Sequence, residues 1–146
     1  MQADANDAPI RRIIHSDPVS VRGALEDLFG ARGPGAFSDA ERDAAELVLA
    51  EVLNNIVEHA HIAAGGTIEV ILRRTPHGLT CTVVDGGKRM PGAHPPMGRL
   101  PRVSDTLSDL PEGGFGWPLI RLLATDLAYR RVGDHNELSF RVIPGQ

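Results

Sequence analysis

The longest regular pattern in the chain predicts an amphipathic helix that runs from residue 38 to His61. Ser38 and Glu41 have the three-residue spacing of a capping box, in which each side chain bonds the backbone N–H of the other. Apolar residues then recur along one side with helical spacing, and Gly65 and Gly66 follow as stop signals. A helix of this kind needs a second layer against which its apolar side is buried, and the rest of the chain has to supply it.

Short alternating or apolar segments predict the strands of that second layer. Asp17 and Pro18 have the pattern of an N-cap followed by proline at the first helical position, which predicts a helix ending in the glycines at 30–35. A third helix is predicted at 117–126. The predicted strands are 10–15, 67–74, 79–85, 127–132 and 137–143, with hairpin turns at 75–78 and 133–136.

This order of elements predicts an α+β fold, a two-layer α/β sandwich with helices on one face of a mostly antiparallel sheet. Residues 1–9 are small and polar and are expected to be disordered, and residues 10–146 are expected to form a single domain. Residues 86–114 are rich in glycine and proline and have no hydrophobic period. A segment of that length without regular structure is usually functional or mobile.

Charge and composition exclude several classes of function. The formal net charge is −4, so the chain lacks the basic footprint of a nucleic-acid-binding protein, and no direct nucleic-acid partner is expected. No apolar run approaches the roughly 20 residues that a membrane helix needs, so no membrane partner is expected. The single cysteine, Cys81, excludes an internal disulfide, is expected in the core, and fits a reducing compartment. We therefore expect a cytoplasmic protein.

The polar side of the long helix carries an acid and an amide one turn apart. Glu51 and Asn55 project onto the same face, whereas His59 lies at the boundary of the apolar side. One interpretation is a solvated stripe on an amphipathic helix. The other is a site that faces a ligand, which is favoured because asparagine is a poor residue for the middle of a helix and two occur in succession.

Two glycine segments are candidate parts of the same site. In "VVDGG" (83–87), Asp85 either caps a turn or accepts a hydrogen bond from a ligand amino group at the floor of a pocket. "EGGFGWPLI" (112–120) leads into a helix, so it is either a flexible loop or a phosphate-binding helix entry. The segment 112–120 has neither the pattern of a P-loop nor that of a dinucleotide-binding glycine motif.

Taken in order, "LAEVLNNIVEHA", "VVDGG" and "EGGFGWPLIRLLATDLAYRR" resemble the three sequence boxes of the GHKL ATPases. Within that superfamily the chain is most similar to the single-domain bacterial anti-sigma-factor serine-protein kinases, which have a histidine-kinase-like ATPase domain. The resemblance covers about residues 10–143 and implies ATP and Mg²⁺ as cofactors.

The resemblance also implies roles for individual residues. Glu51 matches the catalytic acid that activates the attacking hydroxyl or water, and Asn55 matches the asparagine that binds Mg²⁺. The remaining matches are to residues that border the adenine or the phosphates: Asp85, Gly87, Gly114, Gly116 and, near the last strand, Ser139. Arg22 matches an arginine at the family's partner surface.

The implied function is phosphorylation of a serine or threonine of a small antagonist protein by a homodimer that also binds a sigma factor. Two alternatives remain open from the sequence: a non-catalytic, nucleotide-gated binding module, and a stand-alone histidine-kinase-like ATPase domain. The family pattern Asp-x-Gly-x-Gly has Arg89 at its fifth position here, and residues 91–101 are rich in proline. Both departures favour ATP binding over efficient phosphoryl transfer.

Overall fold

A computed structural model describes residues 8–30, 38–59, 66–88 and 116–142. In these ranges it contains three helices and five strands. In chain order the elements are β1 (Ile10–His15), α1 (Pro18–Phe29), α2 (Asp39–His59), β2 (Thr67–Thr75), β3 (Gly78–Asp85), α3 (Gly116–Leu123), β4 (Thr125–Val132) and β5 (His135–Val142). Residues 1–9 are predicted to be disordered, and nearly all of them lie outside these ranges. The predicted helix end at His61 and most of residues 86–114 also lie outside them.

The five strands form one sheet in the order β1-β2-β3-β5-β4, and every neighbouring pair is antiparallel. The helices pack on one side of this sheet, with α2 in contact with both α1 and α3. The predicted two-layer α+β architecture is therefore confirmed. No helix in the described ranges is long and apolar enough to cross a membrane.

Alternation along the strands separates a helix-facing surface from an outer surface. In β3 the buried positions are Leu79, Cys81, Val83 and Asp85, and the residues between them are only partly buried. The helix layer covers this surface with the apolar side of α2, including Val48, Leu49, Val52 and Leu53. Cys81 lies in this core as expected, and burial raises the pKa of its thiol above the usual range.

The predicted cap of α1 is present. Asp17 Oδ1 accepts a hydrogen bond from the Ser20 backbone N–H at 2.7 Å, and Asp17 Oδ2 accepts one from Ser20 Oγ at 2.8 Å. These bonds, the backbone one first, lower the pKa of the Asp17 carboxyl, because they stabilise its charged form. Pro18 occupies the first helical position, as expected from its fixed φ angle.

The capping box of α2 is also confirmed, and it has a further partner. The Glu41 backbone N–H donates to Ser38 Oγ at 3.2 Å, and the Ser38 N–H donates to Glu41 Oε1 at 3.1 Å. Glu41 is only 1% exposed, and its Oε1 also accepts a hydrogen bond from Arg74 Nη1 at 2.8 Å. This buried ion pair attaches the start of α2 to the end of β2.

Because the ion pair holds the start of α2 at the end of β2, the lengths of the helix and the strand indicate where Asn55 lies along the sheet. The 14 positions from Glu41 to Asn55 span about 21 Å of helix, and the six positions from Arg74 back to Ile68 span about 20 Å of strand. Ile68 pairs with Asp85 in the sheet. Because these two lengths match and both start at the ion pair, Asn55 lies toward the end of the sheet where β3 finishes.

The boundaries after α3 differ from those predicted. The helix ends at Leu123 rather than at 126, and β4 begins at Thr125. Asp126 has a φ of 54° within an irregularity of the β4–β5 register between Thr125 and Ala128. Its carboxylate pairs with Arg141 Nη2 at 2.9 Å, so a contact from the neighbouring strand supports a backbone conformation that residues other than glycine rarely adopt.

The last hairpin turn is shorter than predicted. The turn consists of Gly133 and Asp134, so His135 and Asn136 belong to β5 and not to the turn. Gly133 has a φ of +60°, a conformation that glycine adopts without a steric cost. The extension of β5 puts Asn136 in phase with the buried residues of that strand.

We predict that Arg74→Met will destabilise the fold, because it leaves the buried Glu41 carboxylate without a cation. Removing one member of a fully buried pair costs about 3–5 kcal/mol. We expect about 2 kcal/mol here, since the Arg74 side chain is 37% exposed and water screens the pair. The free energy of unfolding is measured by urea titration.

Arg73→Met is the matched control for this prediction, because Arg73 is exposed on the adjacent position of β2 and forms no ion pair within the described part of the chain. A double variant, Glu41→Met with Arg74→Met, should recover much of the loss, since no charge is then buried. Equal unfolding midpoints for the two single variants would show that the pair does not stabilise the start of α2.

Candidate functional site

Asp85 is a carboxylate at the end of an otherwise apolar buried row. It is the last residue of β3 and is 4% exposed. Because side chains alternate along a strand, it projects from the same face as Val83 and Cys81, toward the helix layer. A buried carboxylate needs hydrogen-bond donors, and these come from the turn that follows and from a neighbouring strand.

The turn after β3 is built on the Asp85 side chain. Asp85 Oδ1 accepts a hydrogen bond from the Gly87 backbone N–H at 2.8 Å, which is the pattern of an Asx-turn. Gly87 is buried, whereas Gly86 and Lys88 are exposed. The turn predicted from the sequence is therefore formed by one oxygen of Asp85, Oδ1. The other interpretation, an acceptor for a ligand amino group, concerns the second oxygen of the same carboxylate.

Asn136 completes the surroundings of Asp85. It is 6% exposed and lies directly opposite Asp85 in the β3–β5 register. Its Nδ2 donates to Asp85 Oδ1 at 3.0 Å and to the Lys88 carbonyl at 2.8 Å. Two strands and the turn are thus joined by one amide group.

Residues of β4 hold the other side of this amide. Tyr129 Oη donates to Asn136 Oδ1 at 2.5 Å, and Arg131 Nη1 donates to the same oxygen at 3.0 Å. Arg131 Nη1 also donates to the Gly87 carbonyl at 2.7 Å. The β4–β5 hairpin therefore anchors the turn of residues 85–88 through both its main chain and its side-chain carboxylate.

The two predicted residues of α2 lie at the boundary of the buried side. Glu51 and Asn55 are both partly buried, whereas Asn54 is exposed. Asn55 Nδ2 is buried and has no hydrogen-bond partner among the residues that the structure describes. A half-turn of the amide group about χ2 exchanges Nδ2 with Oδ1, so the side chain can present either a donor or an acceptor at this position.

An unsatisfied amide of this kind fits the requirements of Mg²⁺. This ion takes oxygen ligands, keeps several waters and is usually bound by one or two protein groups together with substrate phosphates. Within the four described ranges no group of three or more histidine, cysteine, aspartate or glutamate side chains is arranged to hold a metal. The residues present fit an ion that arrives with a phosphate ligand and is contacted by Asn55 Oδ1.

The resemblance also implies roles for Gly114, Gly116 and Arg22, and the structure describes only two of these residues. Gly116 is the first residue of α3, a helix that contacts α2 and is separated from β4 by Ala124 alone. Gly114 lies outside the described residues. Arg22 is exposed on α1, away from the buried side that carries Val21 and Ala24.

Ser139 does not lie with Asp85. It pairs with Thr82 and Ala128, and it alternates with the buried residues Leu138 and Phe140, so it projects from the outer surface of the sheet. The position beside Asp85 belongs to Asn136, a residue that the sequence pattern places in a turn. The signal was present in the sequence, because Asn136 has the same two-residue phase as Leu138, Phe140 and Val142 once β5 is extended to His135.

An open groove of about 430 Å³ lies on the opposite, outer surface of the same strands. It is lined by outward-facing residues, including Ile13, Thr67 and Val84, and at the end of β3 by Asp85 and Gly86. Asp85 thus borders the groove, while its side chain belongs to the buried row of β3 on the helix-facing side. We place the candidate site on the helix-facing side, where Asp85, Asn136 and Asn55 lie.

A family model described as a histidine kinase-like ATPase domain matches residues 14–142, a range that contains all of the residues discussed for the site. No curated protein matches the chain significantly.

Proposed function

The chain belongs to the family of histidine-kinase-like ATPase domains, and from this premise we propose that it binds ATP with Mg²⁺ between α2 and the end of β3. The observation that carries the proposal is the arrangement around Asp85. A buried carboxylate has one oxygen used in a turn and the other without a partner in the described ranges, at the end of the sheet toward which the unsatisfied amide of Asn55 lies.

The base end of the nucleotide is assigned to Asp85. An ionised carboxylate only accepts hydrogen bonds, and the 6-amino group of adenine is a donor. A site that is built to hydrogen-bond one ligand group discriminates strongly against a ligand that lacks it. Gly87 supports this role, because its N–H orients the carboxylate and its buried position keeps the turn close to the strand.

The phosphate end is assigned to α2 and to the start of α3. Asn55 would hold Mg²⁺ through its amide oxygen, and the ion when bound would neutralise charge on the phosphates. The N–H groups at the start of α3, which begins at Gly116, carry a partial positive charge that favours phosphate. We include Gly114 in this part of the site on the strength of the resemblance alone.

Glu51 is proposed as the general base. It lies one helical turn before Asn55 on α2, so a hydroxyl nucleophile placed beside the terminal phosphate would lie within reach of its carboxylate. Phosphoryl transfer depends mainly on positioning and on charge neutralisation, and a carboxylate accepts the proton of the attacking hydroxyl. The partial burial of Glu51 supports a position at the edge of the site.

The biological role follows from the resemblance and is proposed on that basis. We propose a cytoplasmic anti-sigma-factor serine/threonine kinase that acts as a homodimer, binds a sigma factor and phosphorylates a small antagonist protein. The exposed Arg22 on α1 is available for the sigma-factor surface. Arg89 and the proline-rich segment favour the main alternative, a nucleotide-gated module that sequesters a regulator without phosphorylating it.

Our second prediction concerns nucleotide binding. ATP with Mg²⁺ should raise the melting temperature, because a ligand that binds only the folded state stabilises it. Asp85→Asn should leave the protein folded and weaken ATP binding by roughly tenfold or more, the scale of a hydrogen bond to a charged group. Binding is measured by calorimetry, and the melting temperature is measured with and without ATP. A folded wild-type protein whose melting is unchanged by millimolar ATP contradicts the proposal.

The third prediction separates the two residues of α2. Asn55→Ala should remove the Mg²⁺ dependence of ATP binding, whereas Glu51→Gln should bind ATP with Mg²⁺ as the wild type does. In a phosphorylation assay with radiolabelled ATP and candidate antagonist proteins, Glu51→Gln should be slower by roughly 10²–10⁴-fold, the usual contribution of a general base.

Asn54→Ala is the control for both variants, because Asn54 is the exposed neighbour of Asn55 on the same helix. It should retain both the Mg²⁺ dependence and the rate of transfer. A Glu51→Gln protein that transfers phosphate at the wild-type rate would assign Glu51 to a solvated stripe. A wild-type protein that binds ATP and transfers nothing to any antagonist would favour the sequestering module.

A further inference from the structure

The solvent-facing side of α2 carries a large apolar residue among acidic ones. Leu47 is 43% exposed, whereas Val48, Leu49 and other apolar residues of this helix lie in the core. Every charged residue between positions 43 and 58 is acidic, and these residues are Asp43, Glu46, Glu51 and Glu58. An acidic helix face with an exposed leucine is complementary to a partner that offers both positive charge and apolar surface.

Three residues of this face form a stripe that leads to the proposed general base. Asp43, Leu47 and Glu51 follow one another at intervals of four residues on α2, so they project from the same side at spacings of about 6 Å. Asp43 is exposed and forms no ion pair within the described ranges, since the arginine of this helix, Arg42, pairs with Asp39. The charge of Asp43 can therefore act on a partner.

A second exposed leucine lies on the neighbouring helix. Leu122 of α3 is 63% exposed, whereas Ile120 of the same helix is fully buried. Because α3 contacts α2, the helix layer exposes apolar side chains on two adjacent helices. Apolar exposure with a polar rim is typical of a surface that binds another protein.

We propose that Asp43 and Leu47 bind the segment of a protein substrate that carries the phosphorylated serine or threonine. The segment that fits is extended, with an apolar residue two positions from the acceptor hydroxyl and a lysine or arginine four positions from it. This inference deepens the proposed function and rests on it, because it takes Glu51 as the general base and adds a class of substrate.

The positions in the substrate follow from two regular geometries. Alternate side chains of an extended segment share a face and are about 6.6 Å apart, which is close to the 6 Å between successive turns of α2. When the acceptor hydroxyl lies at Glu51, the side chain two positions away lies at Leu47 and the one four positions away lies at Asp43. The stripe accepts either chain direction, because the side-chain spacing is the same in both.

Phosphoryl transfer changes the charge at this surface. The serine oxygen bonds to the γ-phosphorus of ATP, the bond from that phosphorus to the β–γ bridging oxygen breaks with its electron pair on ADP, and the serine proton passes to Glu51. The product segment then carries an added charge of about −1.5 to −2. The acidic stripe therefore attracts the cationic substrate and weakens the binding of the phosphorylated product.

Synthetic peptides test the substrate class. One short peptide has a serine, a leucine two positions before it, an arginine four positions before it, and alanine elsewhere; another has the reverse order. Phosphorylation by the full chain with ATP and Mg²⁺ gives kcat and KM. Alanine in place of leucine should raise KM roughly 5- to 20-fold, since about half of a leucine is buried. Glutamate in place of arginine should raise KM roughly 3- to 10-fold.

Variants of the two stripe residues give the most specific readout. Asp43→Arg should reverse the charge preference, so that the glutamate peptide has the lower KM. Leu47→Ser should remove the preference for leucine over alanine and leave ATP affinity unchanged. A general loss of stability predicts neither result, because it would change the rates with all peptides by the same factor.

Ile13→Thr is the matched control, because Ile13 is 69% exposed on the outer surface of the sheet, on the side away from α2. Its peptide preferences should equal those of the wild type. In the wild type the preference for arginine should weaken at high salt, whereas the preference for leucine should not. Folding of every variant is checked by circular dichroism and thermal melting.

The outcomes separate this inference from the proposed function. A wild type that binds ATP but phosphorylates neither peptide order, or phosphorylates all peptides equally well, overturns the docking surface and leaves the ATP site in place. A folded Asp43→Arg that still prefers arginine also overturns it. A wild type that does not bind ATP overturns the proposed function and this inference with it. Preferences at both positions, with the charge preference reversed by Asp43→Arg, support both.

Discussion

The burial of only one face of the sheet is the constraint on which the rest of this structure depends. It imposes a period of two on every strand, so each row of side chains either enters the helix-covered core or faces outward. Asp85 and Asn136 continue two core rows beyond their apolar residues and meet where β3 ends and β5 begins. The polar pair thus uses the same alternation that builds the core, and a shift of one residue in either strand would separate it.

Burial also decides which polar groups have to be paired within the protein. The buried polar or charged residues in the described ranges are Glu41, Asp85 and Asn136. Glu41 is satisfied by a cap and an arginine, and it holds the start of α2 at one end of the sheet. Asp85 and Asn136 bond each other at the opposite end, where Asp85 Oδ2 has no hydrogen-bond partner within the described ranges. The same physical rule therefore applies to a structural pair at one end and to the proposed binding group at the other.

The position of α2 connects the two ends. Because Arg74 holds the first turn of the helix, Asn55 lies toward the end of the sheet that carries Asp85, and its unsatisfied amide lies on the site side of the core. A helix buried on one side can present polar residues at the boundary without loss of packing, since Val48 and Val52 remain in the core. The acid and the amide on α2 are in this way compatible with both a folded core and a phosphate-binding site.

Local patterns in the sequence determined the elements and the caps of both long helices, because Asp17 with Ser20 and Ser38 with Glu41 interact over three residues. They also determined the class of fold and the candidate residues Glu51, Asn55 and Asp85. Only the tertiary structure decided that β5 begins before Asn136, that Asn136 rather than Ser139 lies beside Asp85, and that Glu41 pairs with Arg74. These outcomes depend on cross-strand register and on contacts between residues far apart in the chain, and the energies that select them arise only when the layers are packed together.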